Sequence, residues 1–256
     1  MSSNLNVDIK DGVATIEIDA PPLNLLTLGL RSELCRAALE IGADDTIRAV
    51  VLGSARAGVF SAGSDIREFP ADFGDGPVRA AHEQACFNAF AQMPQPVLAR
   101  LSGHVLGGGF ELALACDIRL ADSSVRLALP EAGLGVFPTG GGTQRVTRIL
   151  GASRAKLFMM LGEVVSADEA RAMGLVDIVV EPAVLVEQTQ SLAHRIAERP
   201  RRAVQSIKAA VDHGCSGGFA AGLAKEVELA VVFGSRDARE GVGAFLESRA
   251  PRFTHE

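Results

Sequence analysis

The sequence contains no uninterrupted apolar run approaching the roughly 20 residues that a membrane-spanning helix requires, so the 48% of its residues that are apolar point to a buried core. At 256 residues the chain suits one large domain, or a core with a small appendage, without staples. Cysteine is scarce: Cys35, Cys86, Cys116 and Cys215 are widely separated and form no C-x-x-C pair. That argues against a zinc site and a disulfide framework, and buried free thiols are expected. Basic charge is also in deficit. A formal net charge of −6 and a pI near 5.5 argue against nucleic acid as a partner. The one paired basic step, Arg201-Arg202, reads as a solvated helix start after Pro200. Met1-Ser-Ser-Asn-Leu-Asn-Val offers neither a basic n-region nor an apolar h-region, so no secretory signal is expected and the expected location is cytoplasmic.

Common chemical signatures are missing too. Gly133-Leu-Gly-Val-Phe-Pro138 lacks the third glycine of a dinucleotide fingerprint, and no G-x-x-x-x-G-K-[ST] loop occurs, which argues against NAD and ATP. His82-Glu-Gln-Ala-Cys86 lacks the second histidine of a zinc protease, and Ser61 is not inside G-x-S-x-G.

What is present is a repeated strand, small-residue loop and helix. Val7 to Asp19 alternates apolar and polar residues around Asp11-Gly12, a hairpin signal. Leu25 to Gly42 carries helical periodicity, and Arg48-Ala-Val-Val-Leu-Gly53 reads as a buried parallel strand. Gly58 to Arg67 reads as a loop where backbone N–H groups can approach a ligand, and Phe69 to Val78, with Pro70, Gly74, Gly76 and Pro77, as a mobile segment before a helix from Arg79 to Gln92. Val97 to Leu101, Ile118 to Asp122 and Val125 to Leu129 read as further strands, and Val176 to Val180 as the last. Helices are expected from Gly142, from Ala155 and from Ser166, the last with a Ser-x-x-Glu capping box; beyond Ala183 the pattern is helical, broken near Pro200 and at Gly214 to Gly218. Repeated βα units with a helical tail define an α/β chain.

Two stretches carry the chemistry. Ser102 to Asp117 is glycine-rich and then helical, and Phe110, Leu112, Ala113, Leu114 and Ala115 leave almost no polar face, so Glu111 enters a buried helix within its first turn. A carboxylate there is either a partner of the helix dipole or a functional group. Leu129 to Arg145 sets a second lone carboxylate, Glu131, in an apolar, glycine-rich loop, where it is costly unless used. Two small-residue loops and two carboxylates suit the stabilisation of an oxyanion combined with proton movement.

Phe60-Ser-Ala-Gly-Ser-Asp-Ile66, Gly107-Gly-Gly-Phe-Glu-Leu-Ala113, Pro130-Glu131 and Gly140-Gly-Gly-Thr-Gln-Arg145 resemble, in order and spacing, the signatures of the enoyl-CoA hydratase/isomerase, or crotonase, superfamily. The likeness extends to Gly241-Val-Gly-Ala-Phe-Leu-Glu247. It implies a crotonase-like spiral of repeated ββα units over residues 1–195, and a C-terminal helical trimerisation region over 196–256. It also implies an acyl-CoA thioester substrate, no metal, and no cofactor beyond the coenzyme A of the substrate. The thioester oxygen would be held by two backbone N–H groups, mapped to Ala62 and Gly108, with Glu111 and Glu131 as the acid/base dyad. Ser61, Ala62, Gly63, Ser64, Asp65, Ile66, Gly107, Phe245 and Lys208 are the expected substrate contacts.

The tail departs from the family pattern. Phe245-Leu-Glu-Ser-Arg-Ala250 lacks two of the usual basic residues, leaving Lys208 and Arg249 as candidates for the CoA phosphates. His104 reads as a packed residue that hydrogen-bonds a backbone carbonyl. Phe219 to Phe233 places Leu223, Val227, Ala230 and Val231 on one helical face, yet Leu229, Val232 and Phe233 occupy others, so a partner subunit is expected to cover the rest, and the resemblance implies a homotrimer or a dimer of trimers. With both glutamates present the resemblance favours a hydratase; an isomerase, a specialised dehydratase and a non-catalytic binding protein are the alternatives.

Overall fold

The computed structural model describes residues 4–69 and 75–256. The chain opens with the expected hairpin, β1 (Leu5–Lys10) and β2 (Val13–Ile18), around Asp11-Gly12. Helix α1 (Leu28–Gly42) starts later than its periodicity suggests, because Thr27 caps it by accepting from the Leu30 N–H at 3.1 Å. After β3 (Ala49–Ser54) the stretch expected to be a loop contains strand β4 (Val59–Ser61), too short to show a period. Helix α2 (Gly76–Ala91) begins ahead of Arg79, with Pro77 in its first turn; within the segment from Phe69 to Val78, residues 70–74 lie outside the described residues.

Strands β5 (Val97–Leu101) and β6 (His104–Leu106) lead into α3 (Gly108–Leu114), every residue of which is buried. Strands β7 (Ile118–Asp122) and β8 (Arg126–Ala128) then precede a 3-10 turn at Glu131–Leu134. Helices α4 (Gly142–Leu150) and α5 (Ala152–Leu161) follow, then β9 (Val165–Ser166), α6 (Ala167–Met173) with its full capping box, and β10 (Ile178–Val180). The tail comprises α7 (Leu185–Ala197), α8 (Arg201–Gly217), α9 (Phe219–Leu229) and α10 (Arg236–Leu246). The helix expected to reach Phe233 gives way at Ala230 to a 3-10 turn.

The strands form two sheets, ordered β1-β2-β3-β5-β7-β10 and β4-β6-β8-β9. Three successive ββ steps send their first strand to the larger sheet and their second to the smaller: β3 then β4, β5 then β6, β7 then β8. Neighbours within each sheet are parallel apart from the β1·β2 and β8·β9 pairs. The principal core joins Ile16, Leu52 and Ala99 of the larger sheet to Phe60, Val105 and Leu127 of the smaller, together with Phe87 and Phe110. The other face of the larger sheet is covered by α7, where Leu185, Ala193 and Ala197 meet Val51, Leu98 and Leu120. The division expected after residue 195 therefore falls inside a helix that packs on the sheet. Among the described residues no helix is long and apolar enough to cross a membrane.

Candidate active site

The site forms where β4 and β6 of the smaller sheet end side by side. Asn24, fully buried, ties the approach together: its amide donates to the Phe60 carbonyl at 3.0 Å and to Ser54 Oγ at 2.8 Å, and Ser61 Oγ donates to the Asn24 carbonyl at 2.7 Å. The turn after β6 is Gly107, whose φ of 51° and ψ of −128° favour glycine. Helix α3 starts at once behind it. A methyl group on Gly109 would lie 2.7 Å from Ser61 Cβ and 2.8 Å from the Ser61 carbonyl oxygen, so the glycine lets α3 press against β4.

That contact decides which backbone donors are free. The Ala62 N–H, expected to face the substrate, donates to the Leu23 carbonyl at 3.0 Å and is already used. Two residues on, the Ser64 N–H has no hydrogen-bond partner among the described residues, and Ser64 lines the cavity that also holds Glu111 and Glu131, whereas Ala62 does not. Gly108 stands at the first position of α3, where an N–H has no partner within its helix. The two residues adjoin: a methyl on Gly108 would meet Ser64 Oγ at 2.9 Å. Ser64, and not Ala62, thus combines a place on the cavity wall with an N–H unpaired among the described residues.

Glu111, 1% exposed, projects from α3 to the start of α4, where its Oε1 accepts from the Gly142 N–H at 2.7 Å. Burial, with the charge of Glu83 second, pushes its pKa up to about 8, against the pull of the Gly142 hydrogen bond. Glu131 enters from the 3-10 turn, half-buried, and its Oε2 is a buried oxygen without a partner among the described residues. Burial pushes its pKa up to about 7. Both carboxylates line one cavity of about 630 Å³, with Phe69, Val136 and Phe137 on its apolar side.

Of the other expected contacts, Ser61 and Gly63 are buried in the support of the loop, Gly63 using its N–H on Ser61 Oγ at 3.1 Å. Asp65 is taken up by Arg67, which donates Nε and Nη2 to its two oxygens at 2.8 and 2.7 Å. Ile66 is exposed, and Gly107 lies against Glu131. Lys208 and Phe245 are not brought to this cavity. Lys208 Nζ is paired with Asp117 Oδ2 at 2.7 Å, and Phe245 projects from α10. Arg249 is held by Glu240 and Glu247, each at 2.6 Å. His104, expected to be packed, is exposed on β6, because its side chain alternates away from the buried Val105.

The family model described as enoyl-CoA hydratase/isomerase matches residues 8–256. The chain belongs to the enoyl-CoA hydratase/isomerase family. It is 34% identical to a probable enoyl-CoA hydratase of Bacillus subtilis, over 98% of this chain and 99% of that one. It is 33% identical to a crotonyl-CoA hydratase of Syntrophomonas wolfei, over 98% and 97%. The solved structure of an enoyl-CoA hydratase from Geobacillus kaustophilus superposes with a TM-score of 0.96 at 35% identity, covering 100% of this chain and 98% of that one. The two layered sheets with their helical tail are accordingly the crotonase fold.

Within this family site, sequence reading passed over Arg31, Glu83 and Thr139. Arg31 and Glu83 form an ion pair of 2.7 Å with side chains 0% and 5% exposed. A signal existed. Glu83 recurs with Cys86, Phe87 and Phe90 on one helical face, and Arg31 with Leu34, Ala38 and Ile41, so each is a charge on an otherwise apolar stripe.

Proposed function

We propose that the protein catalyses the reversible syn hydration of a trans-2-enoyl-CoA to a 3-hydroxyacyl-CoA. The observation that carries this reading is the convergence of two buried carboxylates, Glu111 and Glu131, on the cavity lined by Ser64 beside the start of α3. The N–H groups of Ser64 and Gly108 would hold the thioester oxygen as it gains charge, each such donor contributing roughly 2.7 to 4 kcal/mol. A water between the carboxylates would lose a proton to one and add to the β-carbon, while the other protonates the α-carbon. The dyad needs one proton in total for this, and the pair titrates as a unit.

Relatives named crotonyl-CoA hydratase and short-chain-enoyl-CoA hydratase support an enoyl-CoA ester as substrate class. The exposed apolar faces of α9 and α10 support assembly with further copies of the chain, and the family resemblance makes that a homotrimer or a dimer of trimers. A mass-spectrometric screen of short, medium, branched and aromatic enoyl-CoAs tests the activity. Addition of water is the expected result. Migration of the double bond without hydration would replace this reading by an isomerase, and no turnover of any ester would overturn it.

A further inference from the structure

Glu83 makes no proton transfer in the reaction proposed above, yet it stands in the same cavity. It is 4% exposed and fully engaged: Oε1 accepts from Arg31 Nη2 at 2.7 Å and from Ser64 Oγ at 3.1 Å, and Oε2 accepts from Thr139 Oγ1 at 2.8 Å. Arg31 Nη2 also donates to Ser64 Oγ at 2.6 Å. Two walls of the site are tied through this group. Ser64 carries a backbone N–H unpaired among the described residues, and Thr139 precedes the glycines that cradle Glu111. The turn into α3 brings the third wall close: a methyl on Gly107 would lie 3.2 Å from Glu131 Oε1, and one on Gly108 would lie 3.2 Å from Glu83 Oε1.

We propose that Glu83, locked by Arg31, is a positioning residue of this reaction: it fixes the Ser64 loop and sets a third negative charge beside Glu111 and Glu131. The inference rests on the hydratase reading only for its kinetic arm. Among the described residues, charged and titratable groups on three helices act on the three carboxylates. Arg31 faces Glu83 from α1, Arg79 and the Cys86 thiol share α2 with it, and Arg145 faces Glu111 from α4. Arg31 does not line the cavity, so it stands behind Glu83 and the negative end of the pair faces the dyad. Like charge in a buried site favours the protonated carboxyl, and Glu83 adds to burial in this way at both glutamates. The proton that the dyad must hold near neutral pH is thereby retained.

The test compares wild type with Glu83→Gln, Glu83→Asp and the double variant Arg31→Met/Glu83→Gln, the last removing both charges where the single Gln variant fails to fold. The pH profile of kcat/KM for hydration is one readout. Infrared titration of protonated carboxyl groups in the free protein is the other, and it needs no activity. In Glu83→Gln and the double variant the midpoints of both should fall by on the order of one pH unit. Glu83→Asp, which keeps the charge but shortens the reach to Thr139, should lower kcat and leave the midpoints in place. Folded Glu83→Gln or double variant with wild-type midpoints would overturn the proposal. Failure of wild type to hydrate any ester would remove the hydratase reading alone, since the infrared midpoints still decide the role of Glu83.

Discussion

Glu111 and Glu131 carry raised proton affinities because the elements that bring them together also strip them of water. With apparent pKa values of about 7 and about 8 in one cavity, the singly protonated dyad is populated chiefly between those two values. The pH profile of kcat/KM should be a narrow bell centred between them, falling on the acid side as both carboxyls are protonated and on the alkaline side as both ionise. Glu111→Gln and Glu131→Gln should each lower kcat by on the order of 10² to 10⁴, and the double variant by much less than the product. Retained binding of the CoA ester, measured by calorimetry, would separate lost proton transfer from collapse. The same shift has a cost in stability. Each carboxyl ordinarily titrates near 4.5, so between that pH and about 8 the folded state binds more protons than the unfolded one, and stability falls as pH rises. Glu111→Gln removes its share, so its melting temperature relative to wild type should climb across that window, which calorimetric scans at pH 4.5 and 8.5 would show.

At the scale of the element, the site depends on how α3 meets β4. Gly109 has room for hydrogen only, and the methyl of Gly109→Ala would meet the Ser61 side chain and carbonyl, a residue whose Oγ donates in turn to the Asn24 carbonyl. The helix must then back away and carry the Gly108 N–H and Glu111 with it. A displacement of 1 Å at reacting groups can cost on the order of 10² in rate, so Gly109→Ala should lose about that much activity while remaining folded. Circular dichroism beside the hydration assay checks this. Far from the site, the capping box of α6 has no such leverage. Ser166 Oγ accepts from the Glu169 N–H at 3.3 Å and Glu169 Oε2 accepts from the Ser166 N–H at 2.8 Å. Ser166→Ala should cost about 1 kcal/mol of stability and leave kcat unchanged.

In the whole molecule, the tail presents apolar side chains that nothing among the described residues covers. Phe233 is 81% exposed and Phe245 83%, with Phe219, Val227, Val231 and Leu246 similarly open. So much apolar surface on α9, α10 and the turn between them supports the proposed assembly. Light scattering should find a stable oligomer at micromolar concentration, and Phe233→Asp should shift it toward monomer. Lys208 and Arg249, the cations expected near the CoA phosphates, are each held by carboxylates of their own chain. Lys208→Ala and Arg249→Ala should therefore change KM for the CoA ester little, even at low salt where charge contacts are strongest.

The sequence by itself determined the repeated βα order, the hairpin at Asp11-Gly12, the buried start of α3 and the two candidate glutamates. Those features are local: a period, a turn dipeptide, a lone charge in an apolar run. Strands β4 and β6, three residues each, are too short to show a period, so the second sheet emerges only from pairing across the chain. The choice of Ser64 over Ala62 was equally invisible, because it depends on a carbonyl 39 residues away in sequence, that of Leu23, consuming one N–H and leaving the other free. Arg31 and Glu83 each look like a misplaced charge on an apolar stripe. Only tertiary packing, which sets α1 against α2 behind the Ser64 loop, turns the two defects into one ion pair within the site.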